Sequence, residues 1–392
     1  MGVLFRKLYA YPNRESMPKQ RGRGPKARNR KIAVVLGGGG LKGFAHIGVL
    51  RALEELGIEP AVFAGTSIGS LIAAAYVGGA SIKEMEDRAL ALRRRDLFRI
   101  NRMGMVLERM HSRSIYLAEP LRSLIAGVAP AKTFAELDKT LLVNTVDLGR
   151  GSQVVWGLPG LRNASVAEAV YASCALPGFF PPNEMDGRMC VDGGVIDNLP
   201  AAIASAGMDA VIAVDTGSTD LAEENNVGEQ GFASTYMRAA TTMMHALQLV
   251  PFTRWSSPPM ILIRPRINHI GWFSFSHTEE LIEAGYRAAI DALTNCDRCF
   301  SSPGGVFPRR KVQLNVIREK CICCGLCVAL APALMSQDES GKAYPQRRRL
   351  EWSPADGDFV HHCPTLAIEV TELASKARRR ITTSDPPNEP TS

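Results

Sequence analysis

No apolar run in this chain is long enough to cross a bilayer as a helix. The N-terminal segment also lacks the continuous apolar stretch of a secretory signal. Position 6 is Arg rather than Ser or Thr, so Met1-Gly2 does not open an N-myristoylation pattern. There is no internal repeat. No Gly-Lys-Ser/Thr closes the glycine-rich stretch, which excludes a P-loop nucleotide site. Histidine is scarce, 7 in 392 residues, and spacing places none of them as a catalytic base. These absences lead us to expect a cytoplasmic protein that meets a membrane only peripherally, at its inner face, and has no nucleic-acid partner.

What is present suggests two domains, one large and one small. Hydrophobic residues make up 46% of the chain, enough for a sizeable core. Charge is unevenly spread. Residues 1–31 hold ten Lys or Arg against one acid, a net +9 in a chain of net +7, so the remainder is net −2. The basic segment 1–30 has the composition of a disordered tail. Leu4, Phe5, Tyr9 and Tyr11 interleave with its charges, a pattern suited to an anionic membrane surface. Of 9 cysteines, five fall between 321 and 363, which points to a metal site in a reducing compartment rather than a disulfide framework.

Along the chain, Ile32–Leu36 reads as a buried strand followed at once by glycines. Phe44, Ile47, Leu50 and Leu53 then mark one face of a helix ending at Gly57. Residues 61–64 form a second strand, Ser67 stands at its end, and a helix runs on from Ser70. This βαβα order implies a parallel sheet flanked by helices. Further strands are expected at Leu141–Thr145, Val154–Trp156, Val211–Val214 and Met260–Ile263, and helices near 80–95, 165–173, 231–248 and 278–294. Residues 299–310 have a linker's composition, a compact segment spans 311–374, and residues 375–392 form a second disordered tail.

Gly65-Thr66-Ser67-Ile68-Gly69 is the frame of a nucleophilic serine. A serine hydroxyl needs exposure, a base and stabilisation of the oxyanion it creates. Glycines on both sides permit a sharp strand-to-helix turn that lifts Ser67 out of the backbone. Gly37-Gly38-Gly39-Gly40-Leu41-Lys42-Gly43 also follows a strand and fits a dinucleotide-binding loop at 38–43. In a hydrolase the same N–H groups converge on an oxyanion, and two such features in consecutive βα units favour the hydrolase. His46 reads as a packing or capping residue. His245 and His277 lie in polar contexts, and spacing alone chooses no acid as the base.

The run Lys31–Gly69 resembles a patatin-like phospholipase of the bacterial kind related to neuropathy target esterase. Ser173-Cys-Ala-Leu-Pro-Gly-Phe-Phe-Pro-Pro and Asp192-Gly193-Gly194 match two further motifs in order. The resemblance covers residues 30–295 within a domain of 31–298. It implies a three-layer α/β/α sandwich with a mainly parallel sheet, Ser67 as nucleophile and Asp192 as base. It also implies an oxyanion hole from the amides of Gly38, Gly39 and Gly40, with Lys42 bracing the loop that Gly43 closes. Met103, Met105, Val106, Leu107 and Met110 suit a wall for varied acyl chains, and Arg93-Arg94-Arg95 suit lipid phosphates. The expected substrate is a lipid or other acyl ester.

Cys321-x2-Cys324-x2-Cys327 is the loop that wraps three corners of an iron–sulfur cube. Four residues beyond Cys327 the usual further cysteine is replaced by Ala331, with Pro332 retained, which argues for one cluster. Its fourth ligand is then Cys363, followed by Pro364. The segment resembles a single-cluster bacterial ferredoxin, a small α+β domain, and the presence of Cys324 implies one [4Fe–4S] cluster. Zinc prefers two separated ligand pairs. Cys323 is a bystander thiol, Cys296 and Cys299 are a reduced pair or a second clip, and Cys174 and Cys190 are core residues. The expectation is a serine lipid acyl hydrolase with an iron–sulfur domain of structural or redox-regulatory role. The alternatives are a redox carrier or sensor, with a redox partner, whose larger domain only binds lipid, and a dinucleotide-dependent oxidoreductase.

Overall fold

A computed structural model describes residues 30–101, 114–217, 254–294 and 297–373, with isolated positions between 235 and 252. The basic tail up to residue 29, the Met-rich stretch 103–110, His245, Cys296, most of the helix expected at 231–248 and residues 375–392 lie outside them.

The chain begins with β1 (Ile32–Leu36), a glycine-rich 3-10 turn (Gly40–Phe44) and α1 (Ala45–Glu55). Next come β2 (Val62–Thr66), α2 (Ile68–Val77), α3 (Ile82–Ala91), α4 (Arg94–Leu97) and α5 (Ala118–Ala126). Then follow β3 (Thr140–Asp147), β4 (Ser152–Trp156), α6 (Val166–Cys174), β5 (Asn183–Met185), β6 (Arg188–Asp192), α7 (Ala201–Ala204) and β7 (Ala210–Val214). The large unit closes with β8 (Met260–Ile263), α8 (Thr278–Leu293), α9 (Asp297–Phe300) and β9 (Val306–Phe307).

These strands form one nine-stranded sheet. β1, β2, β3, β7, β8 and β9 pair in parallel with their neighbours, while β4, β5 and β6 are antiparallel. Every residue of β1 is buried, as a strand covered on both faces requires. Ile32, Val34 and Leu36 face one core cluster, shared with α1, α2, α6 and α8. Ala33 and Val35 face a second, shared with α7 and Phe252. The expected strands at 141–145, 154–156, 211–214 and 260–263 are β3, β4, β7 and β8. The expected linker 299–310 includes β9, which pairs with β8 through Met260 and Ile261. Its Pro and Gly content reflects a short edge strand rather than a free connection.

Two strands end against one edge of β3. β2 pairs with it from Val62↔Thr140 to Thr66↔Asn144, and β6 runs the opposite way from Cys190↔Asp147 to Asp192↔Thr145. β4 occupies the other edge over Val143–Asp147, so β2 and β6 lie end to end. The residues that finish them, Thr66 and Asp192, therefore meet at adjacent β3 positions.

The C-terminal unit is built from β10 (Arg310–Val316), α10 (Leu326–Leu330), β11 (Met335–Gln337), β12 (Ala343–Pro345), β13 (Arg349–Trp352), α11 (Asp358–His361) and β14 (Ile368–Glu372). β10 is flanked antiparallel by β13 and β14, and β11 and β12 form a hairpin. Its main buried cluster is six residues, Leu314, Cys327, Met335, Ala343, Phe359 and Ile368, and Val312 and Ala367 are buried beside it.

Helix α1 carries the glycine-rich turn and packs on α8, backbone against backbone. A Cβ at Gly48 would lie 1.8 Å from the Ile282 carbonyl oxygen. We predict that Gly48→Ala forces α1 from α8 and destabilises the protein by about 1–3 kcal/mol or more. Chemical denaturation of the full chain measures this, and an unchanged midpoint would contradict the close packing.

Candidate active site

Ser67 occupies the turn between β2 and α2 with φ 53° and ψ −129°, a conformation costly for a residue with a side chain. Both its backbone polar groups are held. Its N–H donates to Ser173 Oγ at 2.9 Å, and Ser173 Oγ donates in turn to the Asn144 carbonyl at 2.6 Å. Its carbonyl accepts from Ser70 Oγ at 2.6 Å and from the Ser70 N–H at 2.9 Å. Gly65 and Gly69 frame the turn. A side chain at 69 would strike the Leu36 carbonyl oxygen, 2.1 Å from an added Cβ.

Asp192 ends β6 and is 3% exposed. Gly194 N–H donates to its Oδ1 at 2.8 Å, with Gly193 between them opening the turn. Its carboxylate and Ser67 line the same cavity. Burial pushes Asp192 up from 3.8 to about 6, while the Gly194 N–H and the Ser67 hydroxyl pull the other way. Asn144 fixes the loop that follows, donating to the Asp197 carbonyl at 2.6 Å and accepting from Gln153 Nε2 at 2.9 Å.

The glycine loop lies against this pair. A Cβ at Gly38 would sit 3.2 Å from Ser67 Cβ. The Gly38 amide is engaged by the Asn198 carbonyl at 3.2 Å, and Leu41 N–H donates to the Trp272 carbonyl at 2.8 Å. Gly39 precedes the 3-10 turn and Gly40 opens it with φ 57°. Lys42 is buried in the turn, and burial lowers its pKa. Gly43 packs on Ile68, the residue after the serine. His46 is fully buried, as a packing residue would be, and its Nε2 lies 2.8 Å from the Gly37 carbonyl oxygen. Burial pushes His46 down to about 4, so it is neutral and braces the loop by donating to that carbonyl. His277 precedes α8, its Nδ1 2.6 Å from Ser274 Oγ.

From Ser67 and Asp192 a cavity of about 430 Å³ runs along α2, lined by Leu71, Ile72, Met85, Phe98, Phe179 and Phe180 among others. Cys174 is part of its wall. Burial pushes the Cys174 thiol up, with the Asp192 charge adding to the rise and the Ser70 and Ser67 side chains opposing it. Cys190, in contrast, is a core thiol.

Residues 34–205 match the family model of the patatin-like phospholipases. The chain carries a patatin-like phospholipase domain. Its fold is α/β with a mainly parallel central sheet. The patatin-like phospholipase domain-containing protein 6 of Homo sapiens is 35% identical over 210 residues, 50% of this chain and 14% of its own length. Lysophospholipase NTE1 of Phaeosphaeria nodorum is 31% identical over 290 residues, 66% of this chain and 18% of its own. An uncharacterized NTE family protein of Mycobacterium tuberculosis is 31% identical over 191 residues, 48% of this chain and 50% of its own. The chain thus spans a minor part of the longer relatives. Among solved structures, VipD from Legionella pneumophila is 16% identical, with a TM-score of 0.38, covering 68% of this chain and 67% of that one.

In the C-terminal unit, Cys321, Cys324, Cys327 and Cys363 all line one small cavity. Among the described residues, no three His, Cys, Asp or Glu side chains are gathered into a ready metal-binding group. The surroundings nonetheless suit thiolates: Ala343 N–H points at Cys321 Sγ at 3.5 Å and Ala367 N–H at Cys363 Sγ at 3.3 Å. Burial alone would raise Cys363, but the backbone N–H groups of Ala367, Thr365 and Ile368 bring it below its ordinary value. Cys323 takes a positive φ of 63° and its sulfur lies 3.6 Å from the Ser340 carbonyl oxygen. Cys299 packs at the edge of the main core.

Sequence reasoning passed over Ser173, Asn144 and Cys174 as parts of the site. Ser173 stood inside a quoted motif, which was the one signal available.

The buried carboxylate makes two effects measurable. If Asp192 serves as the base for Ser67 it must be ionised, and ester turnover should then rise to half its maximum near pH 6 and level off above it. The folded state keeps the Asp192 proton to higher pH than the unfolded chain does. This group therefore costs stability as pH climbs from about 4 through its folded value, on the order of 3 kcal/mol by neutrality. Asp192→Asn should unfold at a higher temperature than the parent at pH 7 and at the same temperature near pH 4. A difference independent of pH would rule out the buried charge as its cause.

Proposed function

We propose that the chain is a serine lipid acyl hydrolase working through Ser67 and Asp192. The observation that carries this reading is the placement of Ser67 and Asp192 together, at adjacent β3 positions and at one end of an apolar cavity. Ser67 Oγ attacks the ester carbonyl as its proton passes to Asp192. The resulting oxyanion is met by the Gly39 and Gly40 amides, since that of Gly38 is already engaged. The first turn of α2, with its N-terminal dipole, lies under the serine. Collapse of the intermediate returns the proton to the leaving alkoxide and leaves the acyl chain on Ser67. Asp192 then takes a proton from a water whose oxygen attacks the acyl carbonyl; the bond to Ser67 Oγ breaks, the proton passes back to Ser67 Oγ, and the fatty acid leaves. The cavity suits the acyl chain because its walls are mostly aliphatic and aromatic.

The C-terminal unit, residues 311–374, fits a single-cluster ferredoxin-like domain beside a hydrolase domain of 31–298. Cys321, Cys324, Cys327 and Cys363 would hold one [4Fe–4S] cluster, four thiolates being its ordinary ligand set. Such a group, when bound, supplies a one-electron couple and a covalent clamp. A six-residue main cluster is small for a unit of this size, which favours the clamp. A structural or redox-regulatory role accords with hydrolysis, which consumes no electrons; a regulatory role would bring a redox partner. Cytoplasmic placement, with the basic N-terminal tail touching an anionic membrane surface, accords with the charge distribution. Among the described residues no helix is long and apolar enough to cross a membrane.

Ser67→Ala and Asp192→Asn should each lower hydrolysis of acyl esters by about a thousandfold or more while the chain stays folded by circular dichroism. Near-parental turnover in either variant would end the dyad reading. Protein purified without oxygen should carry about four irons per chain. Replacing Cys321, Cys324, Cys327 or Cys363 by Ser should lower that content, while Cys323→Ser should keep it. Zinc in place of iron would refute the cluster.

A further inference from the structure

We propose that the aromatic and arginine-rich rim of the cavity, formed by α4 and the segment around Phe273, is a docking face for an anionic lipid bilayer. This surface is separate from the N-terminal tail, and the proposal rests on the hydrolase reading. Phe98 is the hub of the rim. Its ring centroid lies 4.9 Å from that of Tyr116, 5.3 Å from Phe273 and 6.2 Å from Phe275. Phe179 continues the cluster 6.3 Å from Phe273. Phe98, Phe179 and Phe273 also line the cavity, together with Ser67 and Asp192. The same apolar surface thus runs from the outside of the protein to the nucleophile.

The outer part of this surface is not sequestered. Ile100 is 51% exposed and Phe273 37%, and Ile100 bridges to Tyr116 in the cluster. Exposed apolar residues grouped at a cavity mouth mark a contact surface more often than chance. Charge decides what it contacts. Residues 93–100 hold Arg93, Arg94, Arg95 and Arg99 against the single acid Asp96, and all four arginines are exposed. The Arg94 guanidinium lies 6.0 Å from the Phe98 ring centre, so cation and aromatic share one face. Aromatic rings flanked by arginines match a bilayer boundary, where rings settle at headgroup depth and guanidinium groups pair with phosphate and carboxylate. An acyl chain leaving such a surface reaches Ser67 without crossing water.

The test uses the full chain carrying Ser67→Ala, so that binding is read without turnover. It is sedimented with vesicles of phosphatidylcholine alone or mixed with phosphatidylserine. The parent should bind the mixed vesicles in a salt-sensitive manner. Adding Arg94→Ala, Arg95→Ala and Arg99→Ala together should weaken that binding about tenfold or more, and Ile100→Ser should weaken it further. Unchanged binding in the arginine variant would overturn the proposal and assign membrane contact to the tail. A second measurement restores Ser67 and compares a water-soluble short-chain ester with a vesicle-embedded one. The arginine variant should keep its rate on the soluble ester and lose it on the vesicle. Equal loss on both would make the rim a structural element and also overturn the docking face. Failure of the parent to hydrolyse either ester would instead sink the hydrolase reading, and the sedimentation result would still be read by itself.

Discussion

The arrangement of this protein depends on a single strand edge. β3 accepts β2 in parallel and β6 antiparallel on the same side, and the two stop where they meet. The end of α6 holds the same two places, Ser173 through the Ser67 N–H and the Ala175 carbonyl through the Asp192 N–H at 3.1 Å. The backbone hydrogen bonds of Asn144 and Thr145 act as a ruler. Asn144 has a further part, because its carbonyl receives Ser173 Oγ and its side chain steadies the loop beyond Asp192. One β3 residue is connected to both halves of the pair.

Strain and burial then give that edge its chemistry. Ser67 sits in a backbone conformation that a free chain avoids, held by Ser173 on one side and Ser70 on the other. Asp192 is ionised in a place where water reaches it poorly. Both arrangements cost stability, and both are carried by a sheet buried on two faces with a separate core cluster against each. A fold of this size tolerates such local costs because most of its apolar surface is far from the site.

Much of this was legible in the residues. Continuous apolar runs such as Ile32–Leu36 identify central parallel strands, and the apolar spacing after Gly43 identifies α1. The strands that were passed over are edge or antiparallel pieces. β6 reads Arg-Met-Cys-Val-Asp, with Met189 turned to solvent, and β9 is two residues long. Neither contains enough periodicity to rise above its surroundings. The serine was visible because a nucleophile turn imposes local glycines. Its acid was not visible from spacing, since the pairing of Ser67 with Asp192 is set by register on β3, a non-local property. It was reached only through the resemblance of Asp192-Gly193-Gly194 to a family motif. Ser173 and Asn144 are common residue types whose roles exist only in three dimensions. Cys174 was read as a buried core residue but is half-buried in the cavity wall, and the composition of its segment does not distinguish the two.

The path of the chain from β9 to β10 has a mechanical meaning. Val306 and Phe307 belong to the hydrolase sheet, and the strand that begins at Arg310 belongs to the cysteine-bearing unit. Ser353 of that unit donates a buried hydrogen bond to the Val306 carbonyl at 2.8 Å, and Arg310 joins Asp291 of α8 to Glu372 of β14. The two parts are seamed rather than tethered. A cut to the left of Val306 strips the larger sheet of its border, and one to the right of Arg310 unpicks the smaller. Loosening of the cysteine unit would pull directly on the β9 margin of the sheet, whose far side holds Ser67 and Asp192 in register.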